Sequence, residues 1–384
     1  MSTSHSDSTI YIFTHEFYPK RGGIATFTEE MARATTELGK DVEVWAQDAG
    51  DSPEKKWPFR IRRLALKGTH DLTCLFRLAA QIIKHRRTLR EATVCLAEPG
   101  PMLAMMILQL FPPFRPRNLL LTFYGSEILR FHRNRFLRPL TRRLIRNASR
   151  IGVISKFTEN LLFTHFPAAA AKTVRTACAL RSDFAIAEHA RSTGEPKTKT
   201  IVLTVARLHP RKGQTQTMDA LKALAPLQRE NIEYWIVGSA NRPQFELALR
   251  EHAATCDFPV KFWGEVPDEQ LDQIYDQADI FSMTSIAWGK SVEGFGMVYL
   301  EAGARGLPVI AHDIGGVSDA VVDQKTGFLV APIQPTELTA AFEKLINSPE
   351  LRLEMGHAGR SWATHYRWRD SAQALFDVTT KSSA

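Results

Sequence analysis

The sequence predicts an α/β protein of two doubly wound parallel-sheet domains in tandem, facing each other across a cleft. Short, continuously apolar β-rich runs alternate with helical patterns, as in parallel sheets covered on both faces. The polar stretch EHARSTGEPKTKT (188–200), with its Gly and Pro, interrupts that alternation near the middle. The pattern then restarts, and 384 residues are enough for two cores. The expected organisation is an N-terminal domain over 1–187, a linker over 188–199 and a second domain over 200–364. Residues 365–384 are expected to form a helix that crosses back to the first domain.

Taken in order, the polar start MSTSHSDST has no apolar segment of a secretory leader. IYIFT (10–14) reads as the first strand; a glycine turn follows, then the helical ATFTEEMARATTEL. VEVWA (42–46), TVCLA (93–97), LLLTF (119–123) and IGVIS (151–155) read as further strands. PMLAMMILQLF (101–111) is the longest apolar run, too short to span a bilayer and flanked by prolines, so it reads as a buried helix. In the second half, TIVLTVA (200–206), EYWIVG (233–238), DIFSMT (279–284), PVIA (308–311) and GFLVA (327–331) supply the strands.

Composition is that of a globular chain, 44% hydrophobic and 23% charged. The four cysteines are scattered without a CxxC, which argues against structural zinc or a disulfide framework and fits a reducing compartment. Charge is uneven. Residues 1–180 carry 28 Lys and Arg against 15 Asp and Glu, and the remainder 21 against 26. An anionic partner for the first half is expected.

Four loops read as parts of one anion site. In YPKRGGIATF (18–27), Gly22 and Gly23 follow a strand and open a helix, which lets backbone approach a phosphate. In VARLHPRKGQ (205–214), Arg207 and Lys212 stand past a strand's carboxyl end, where cations can neutralise a diphosphate leaving group. In SVEGFGMVYLE (291–301), Glu293 precedes a helix starting near Gly296, and Glu301 lies about one turn into it. A phosphate at that helix start lies between the carboxylates, so each is expected to reach a neutral hydroxyl: one on a hexose, one on a ribose. AHDIGGVSDAV (311–321) is a further strand–Gly-Gly–helix turn. Singly, each loop has a plainer explanation in turn geometry or solvated charge.

As a set, GGI, VARLHPRKG, GEVPDEQLDQIYDQAD, VEGFGMVYLEAGARGLPVIAHDIGGVSDAV and TGFLV resemble the retaining glycosyltransferases of family 4. The wording around VEGFGMVYLEA is nearest to phosphatidylinositol mannosyltransferase-like members. The resemblance covers nearly the whole chain, and Glu-x7-Glu is its most specific part. It implies the GT-B architecture of two Rossmann-like domains, acceptor mainly on the first and nucleotide sugar mainly on the second. It implies that Arg207 and Lys212 bind the donor diphosphate, that Glu293 contacts hydroxyls of the transferred sugar, and that Glu301 holds the ribose. Phe295, Gly296, Met297 and Val298 fall where backbone amides meet sugar and phosphate, Gly22 and Gly23 near the diphosphate, and Val266 against the base.

Two departures stand out. Tyr124, in LTFYGSE, occupies the place of a histidine that commonly contacts the donor sugar, and VGSANRP (237–243) replaces a common Gly-x-Gly turn. Tyrosine can exchange hydrogen bonds but carries no positive charge near neutral pH. The implied reaction transfers a hexose from a UDP- or GDP-sugar to a glycan, lipid or polyol hydroxyl with retention. The departing phosphate oxygen takes the acceptor proton, and Arg207, Lys212 and helix N-termini serve in place of a metal. No cofactor and no metal are expected.

RFHRNRFLRPLTRRLIRNASR (130–150) holds eight arginines and no acid, interleaved with apolar residues. It reads as a cationic amphipathic arm, with Arg130, Arg133, Arg142 and Arg143 facing a lipid acceptor or an anionic membrane surface; FRLAAQIIKHRRTLRE (76–91) is similar. No nucleic-acid recognition motif accompanies the charge. The expected location is cytoplasmic, peripheral on the inner face of the plasma membrane. Two other readings remain open: a non-catalytic GT-B protein binding sugar nucleotide or membrane, and a sugar-nucleotide epimerase.

Overall fold

A computed structural model of the chain describes residues 9–377 apart from Arg21, Glu54, 67–70, 111–113, Ala185, 187–198 and Lys290. Residues 1–8 and the 188–199 linker, Lys199 excepted, lie outside the described residues. Two compact units are present: Met1–Arg181 with Arg367–Ala384, and Ser182–Tyr366.

The first unit holds strands β1 (Ile10–Phe13), β2 (Val42–Gln47), β3 (Arg60–Leu64), β4 (Thr93–Leu96), β5 (Asn118–Phe123), β6 (Arg150–Val153) and β7 (Thr173–Arg175). All pair in parallel, in the order β3-β2-β1-β4-β5-β6-β7. Its helices are α1 (Gly23–Glu37), α2 (Leu72–Lys84), α3 (Arg86–Arg90), α4 (Pro99–Leu108), α5 (Ser126–Arg133), α6 (Leu137–Asn147) and α7 (Lys156–His165). Every residue of β1 and β4 is buried, which is why these strands are continuously apolar rather than alternating. Phe13, Trp45, Leu121 and Phe123 pack in one core, each such side chain contributing roughly 1.5–3 kcal/mol. The apolar α4 is covered by α2 and α6, matching the buried helix expected over this stretch.

Side-chain caps set several helix ends. Asp71 accepts from the Cys74 amide (2.8 Å) and Ser155 from the Thr158 amide (3.1 Å). At the far end of α6, Lys172 Nζ donates to the carbonyls of Arg146 and Ala148, each at 2.7 Å, placing a cation at the negative end of the helix.

The second unit holds β8 (Thr200–Val205), β9 (Ile232–Val237), β10 (Val260–Gly264), β11 (Ile280–Met283), β12 (Val309–His312) and β13 (Gly327–Val330), again all parallel, in the order β10-β9-β8-β11-β12-β13. Helices α8 (Gln214–Lys222), α9 (Pro226–Glu230), α10 (Pro243–Ala253), α11 (Asp268–Gln277), α12 (Met297–Ala304), α13 (Val317–Ala320), α14 (Pro335–Asn347) and α15 (Pro349–Ala363) connect and flank them. Glycines let α12 and α15 touch: a Cβ on Gly303 would stand 3.0 Å from the Gly359 carbonyl oxygen, and one on Gly356 2.1 Å from that of Gly306. The final helix, α16 (Trp368–Phe376), belongs to the first unit. There Trp368 Nε1 donates to the Leu180 carbonyl (2.7 Å) and Ser371 Oγ to that of Ala177 (2.8 Å).

Three elements differ from expectation. The basic arm is two helices, not one: α5 ends before Asn134, whose Oδ1 accepts from the amides of Phe136 and Leu137 and starts the next turn. The 76–91 stretch is likewise divided at His85. Strands β3, β7 and β10 were not foreseen, because RIRRL, TVR and VKFWG each carry charge and lack a continuous apolar run, and all three are edge strands at the ends of their sheets.

Both sheets have their first strand in the interior, so strand order reverses between β1 and β4 and again between β8 and β11. Doubly wound sheets bind ligands where the order reverses, beyond the carboxyl ends of the strands. In the second unit, that position is bounded by the loops holding Arg207–Gly213 and Thr284–Gly296.

Candidate active site

Glu293 is the hub of the second unit's switch point. Its Oε2 accepts from Lys212 Nζ (2.7 Å), Arg211 Nη1 (3.0 Å) and Ser285 Oγ (3.3 Å). The side chain is 10% exposed. Burial alone would raise its pKa, but the Lys212 and Arg211 charges and their hydrogen bonds outweigh burial and hold the carboxyl below its usual range. Burial pushes the Lys212 ammonium down, and Glu293 pulls it partly back.

Backbone contacts fix this hub. Arg211 Nη1 also donates to the Val292 carbonyl (3.0 Å), and the Gly316 amide donates to that of Glu293 (2.9 Å). Gly315, at φ +62°, leaves room for that approach, since a Cβ there would sit 2.1 Å from the Glu293 oxygen. The Gly-Gly turn at 315–316 thus braces the carboxylate loop. His312 Nδ1 donates to the Ser285 carbonyl (3.0 Å), tying the end of β12 to the loop after β11. Gly213, at φ +75°, passes so near Thr284 that a Cβ would meet its carbonyl oxygen at 1.9 Å, and this contact presents Lys212 towards Glu293.

Gly296 precedes α12 at φ +86°, packed on the ring of Tyr299, whose hydroxyl donates to the Met283 carbonyl (2.8 Å). Phe295 is buried with its ring against Tyr366, while Met297 and Val298 form the half-buried first turn. Glu301, 9% exposed, accepts from the Tyr275 hydroxyl (3.1 Å). Arg207 is exposed, and its carbonyl accepts from Gln214 Nε2 (3.0 Å). Val266 is buried just past β10. The structure therefore gathers Lys212, Glu293 and the α12 start around one point. It adds Arg211 and Ser285, which sequence reasoning missed. Arg211 sits beside Lys212 in the same loop, and nothing in the sequence tells which of the loop's cations turns inward.

The remaining candidates lie in the first unit. Gly22 has an extended backbone (φ 162°), and a Cβ there would meet nothing within 4 Å. Neither strain nor packing among the described residues demands glycine at that position, and Gly23 begins α1. Tyr124 donates its hydroxyl proton to the Ala97 carbonyl (2.8 Å), and its ring stands edge-on to Phe27 (5.4 Å). Burial raises its pKa well above 10. With its proton committed, the hydroxyl has only lone pairs to offer a sugar. Sequence reasoning also passed over His15 and Glu98, 83 positions apart, at this unit's own switch point. Both are buried, His15 Nδ1 and amide meet Glu98 Oε1 at 2.9 and 3.0 Å, and the Gly100 amide meets Oε2 at 2.7 Å. Arg133 and Arg142 are exposed on α5 and α6, and Arg130 and Arg143 are half-buried.

Residues 185–362 match the family described as "Glycosyl transferases group 1", and residues 21–178 match "Glycosyltransferase Family 4". The chain belongs to the family 4 glycosyltransferases. A family relative is the GDP-mannose-dependent alpha-(1-6)-phosphatidylinositol monomannoside mannosyltransferase of Mycolicibacterium smegmatis, 27% identical and matched over 96% of this chain and 97% of its own. The protein of the same name from Mycobacterium tuberculosis is 28% identical, with the same coverage. Among solved structures, sucrose-phosphate synthase from Thermosynechococcus elongatus has a TM-score of 0.76 at 21% identity, covering 95% of this chain and 96% of its own. An Anabaena protein solved with UDP and glucose has a TM-score of 0.73 at 18% identity, covering 95% and 97%. These likenesses show the GT-B class of fold. This family 4 chain is a glycosyltransferase that moves a hexosyl group from a nucleotide sugar to an acceptor hydroxyl.

Proposed function

We propose that the protein is a retaining, metal-independent mannosyltransferase that takes GDP-mannose as donor and an inositol-containing lipid as acceptor, in cell-envelope synthesis. The observation that carries the proposal is the buried Lys212–Glu293–Arg211 cluster at the switch point of the second unit. In this account Lys212 and Arg207 neutralise the departing diphosphate together with the α12 amides, Glu293 orients hydroxyls of the mannose, and Glu301 holds the ribose. The bond from the anomeric carbon to phosphate breaks, and a bond to the acceptor oxygen forms on the same face. The acceptor's proton goes to the departing phosphate oxygen, so positioning and charge stabilisation do the work. Donor and acceptor identities are supported by the names of the mycobacterial relatives.

The first unit supports an anionic membrane surface as partner. Leu72, Phe76 and Ile83 on α2 and Phe136 before α6 are exposed apolar side chains among arginines, and α4 lies against both α2 and α6. Among the described residues no helix is long and apolar enough to cross a membrane, and no group of three or more metal-ligating side chains is present.

The test presents phosphatidylinositol and its mannosides in anionic vesicles with GDP-mannose, with UDP-glucose in parallel, in the presence and absence of EDTA. An α-linked mannoside by NMR, formed equally with EDTA, is expected. A β-linked product, loss of activity with EDTA, or free epimerised donor without transfer would each overturn the corresponding part.

A further inference from the structure

Beyond the diphosphate seat, the second unit holds a pocket over the carboxyl ends of β8, β9 and β10. Its volume is about 240 Å³, below the roughly 300–1,000 Å³ of sites that take drug-sized ligands, and suited to a base rather than a whole nucleotide. Leu208 and Ile236 line it with apolar surface, Phe262 offers a ring, and Gly238 lets two loops close on it. At Gly238, φ is +143°, and a Cβ would stand 2.1 Å from the Ala206 carbonyl oxygen. Three charged side chains also line the pocket: Glu265, Arg250 and Glu246. Glu265 stands at the end of β10, and the Arg250 guanidinium lies 4.4 Å from the centroid of the Phe262 ring. Arg250 is held there by Glu246, whose Oε1 accepts from Nε and Nη2 at 3.0 and 2.9 Å.

Sheet order relates this pocket to the cluster around Glu293. In β10-β9-β8-β11, the pocket spans the three strands on one side of the reversal, and Glu293 follows β11 on the other. A nucleotide sugar laid across the strand ends, with its phosphates at the reversal, puts its base over β9 and β10.

We propose that this pocket selects guanine, with Glu265 and Arg250 as the residues that read it; this rests on the donor reading given above. Guanine presents paired donors, N1–H and the 2-amino group, on one edge and paired acceptors, O6 and N7, on another. A carboxylate accepts from the first pair and a guanidinium donates to the second. Adenine places a lone pair at N1, against which a carboxylate is repelled. Uracil has a single N–H between two carbonyls, so a carboxylate facing it meets two acceptors. The Phe262 ring gives the Arg250 guanidinium a flat seat, and the Glu246 pair fixes the guanidinium plane in advance.

Calorimetry on the full chain with GDP, IDP and UDP tests the proposal, because IDP differs from GDP only in lacking the 2-amino group. Wild type is expected to bind GDP roughly tenfold or more tightly than IDP, and UDP more weakly than either. Glu265→Gln is expected to bring GDP and IDP to within about threefold of each other, as expected when one edge of a bidentate contact is lost. Its melting curve and its affinity for inorganic diphosphate should be unchanged, which separates base reading from a structural role. Retention of the full GDP–IDP gap in Glu265→Gln overturns the proposal. UDP binding more tightly than GDP to wild type overturns it too, yet leaves nucleotide-sugar transfer standing. Failure of all three to bind overturns both.

Discussion

Lys212→Met is expected to lower turnover by roughly 10²–10³-fold with a much smaller change in the donor KM, the loss typical when one preorganised charge is removed from a developing anion. The Lys212 side chain is 14% exposed and its ammonium is held at 2.7 Å from Glu293 Oε2, so little reorganisation is needed when charge appears on the leaving diphosphate. Met keeps most of the apolar stem. Glu293 keeps Arg211 at 3.0 Å and Ser285 at 3.3 Å, so the carboxylate is not left without partners and the fold should survive. Steady-state kinetics with saturating acceptor measure the split. An unchanged kcat, or a loss appearing only in KM, would place the leaving group elsewhere.

Glu293→Ala is expected to destabilise the second unit by about 3–5 kcal/mol, because it leaves two nearly buried cations without their counter-charge. The effect carries a pH signature. The folded-state pKa of Glu293 lies below its ordinary value of 4.5, so the unfolded chain takes up the proton first as pH falls. Its stabilising contribution is therefore complete above about pH 5 and is lost as pH drops through the folded-state value. The stability gap between wild type and Glu293→Gln, followed by urea denaturation, should be constant near neutrality and shrink below pH 4.5. A gap that widened on acidification would contradict the assignment.

Much of this was legible in the chain because the physics is local. Continuous apolar runs such as IYIF and TIVLTV announce strands buried on both faces, and the glycines at 213, 296 and 315 mark turns where backbone and side chain crowd together. Glu293, Glu301 and Lys212 stood out from those glycines. What could not be read depends on tertiary placement. RIRRL mixes three arginines with two apolar residues and gives no continuous apolar signal, yet it pairs with β2 along its whole length. Arg207 and Arg211 look alike in RLHPRKG, and the turn around Pro210 sends Arg211 inward while Arg207 stays exposed. Tyr124 looked available to a sugar; its bond to Ala97 comes from a loop 27 residues away. His15 and Glu98 meet only because β1 and β4 are neighbours in the sheet.

The central claim is that the donor diphosphate rests on the second unit, where strand order reverses between β8 and β11. A crystal structure of the full chain with GDP measures this directly. The account predicts both phosphates at the start of α12, within hydrogen-bond reach of Lys212 and Arg207, with Glu301 on the ribose. Phosphates bound instead at the first unit's switch point, beside His15 and Glu98, would contradict it.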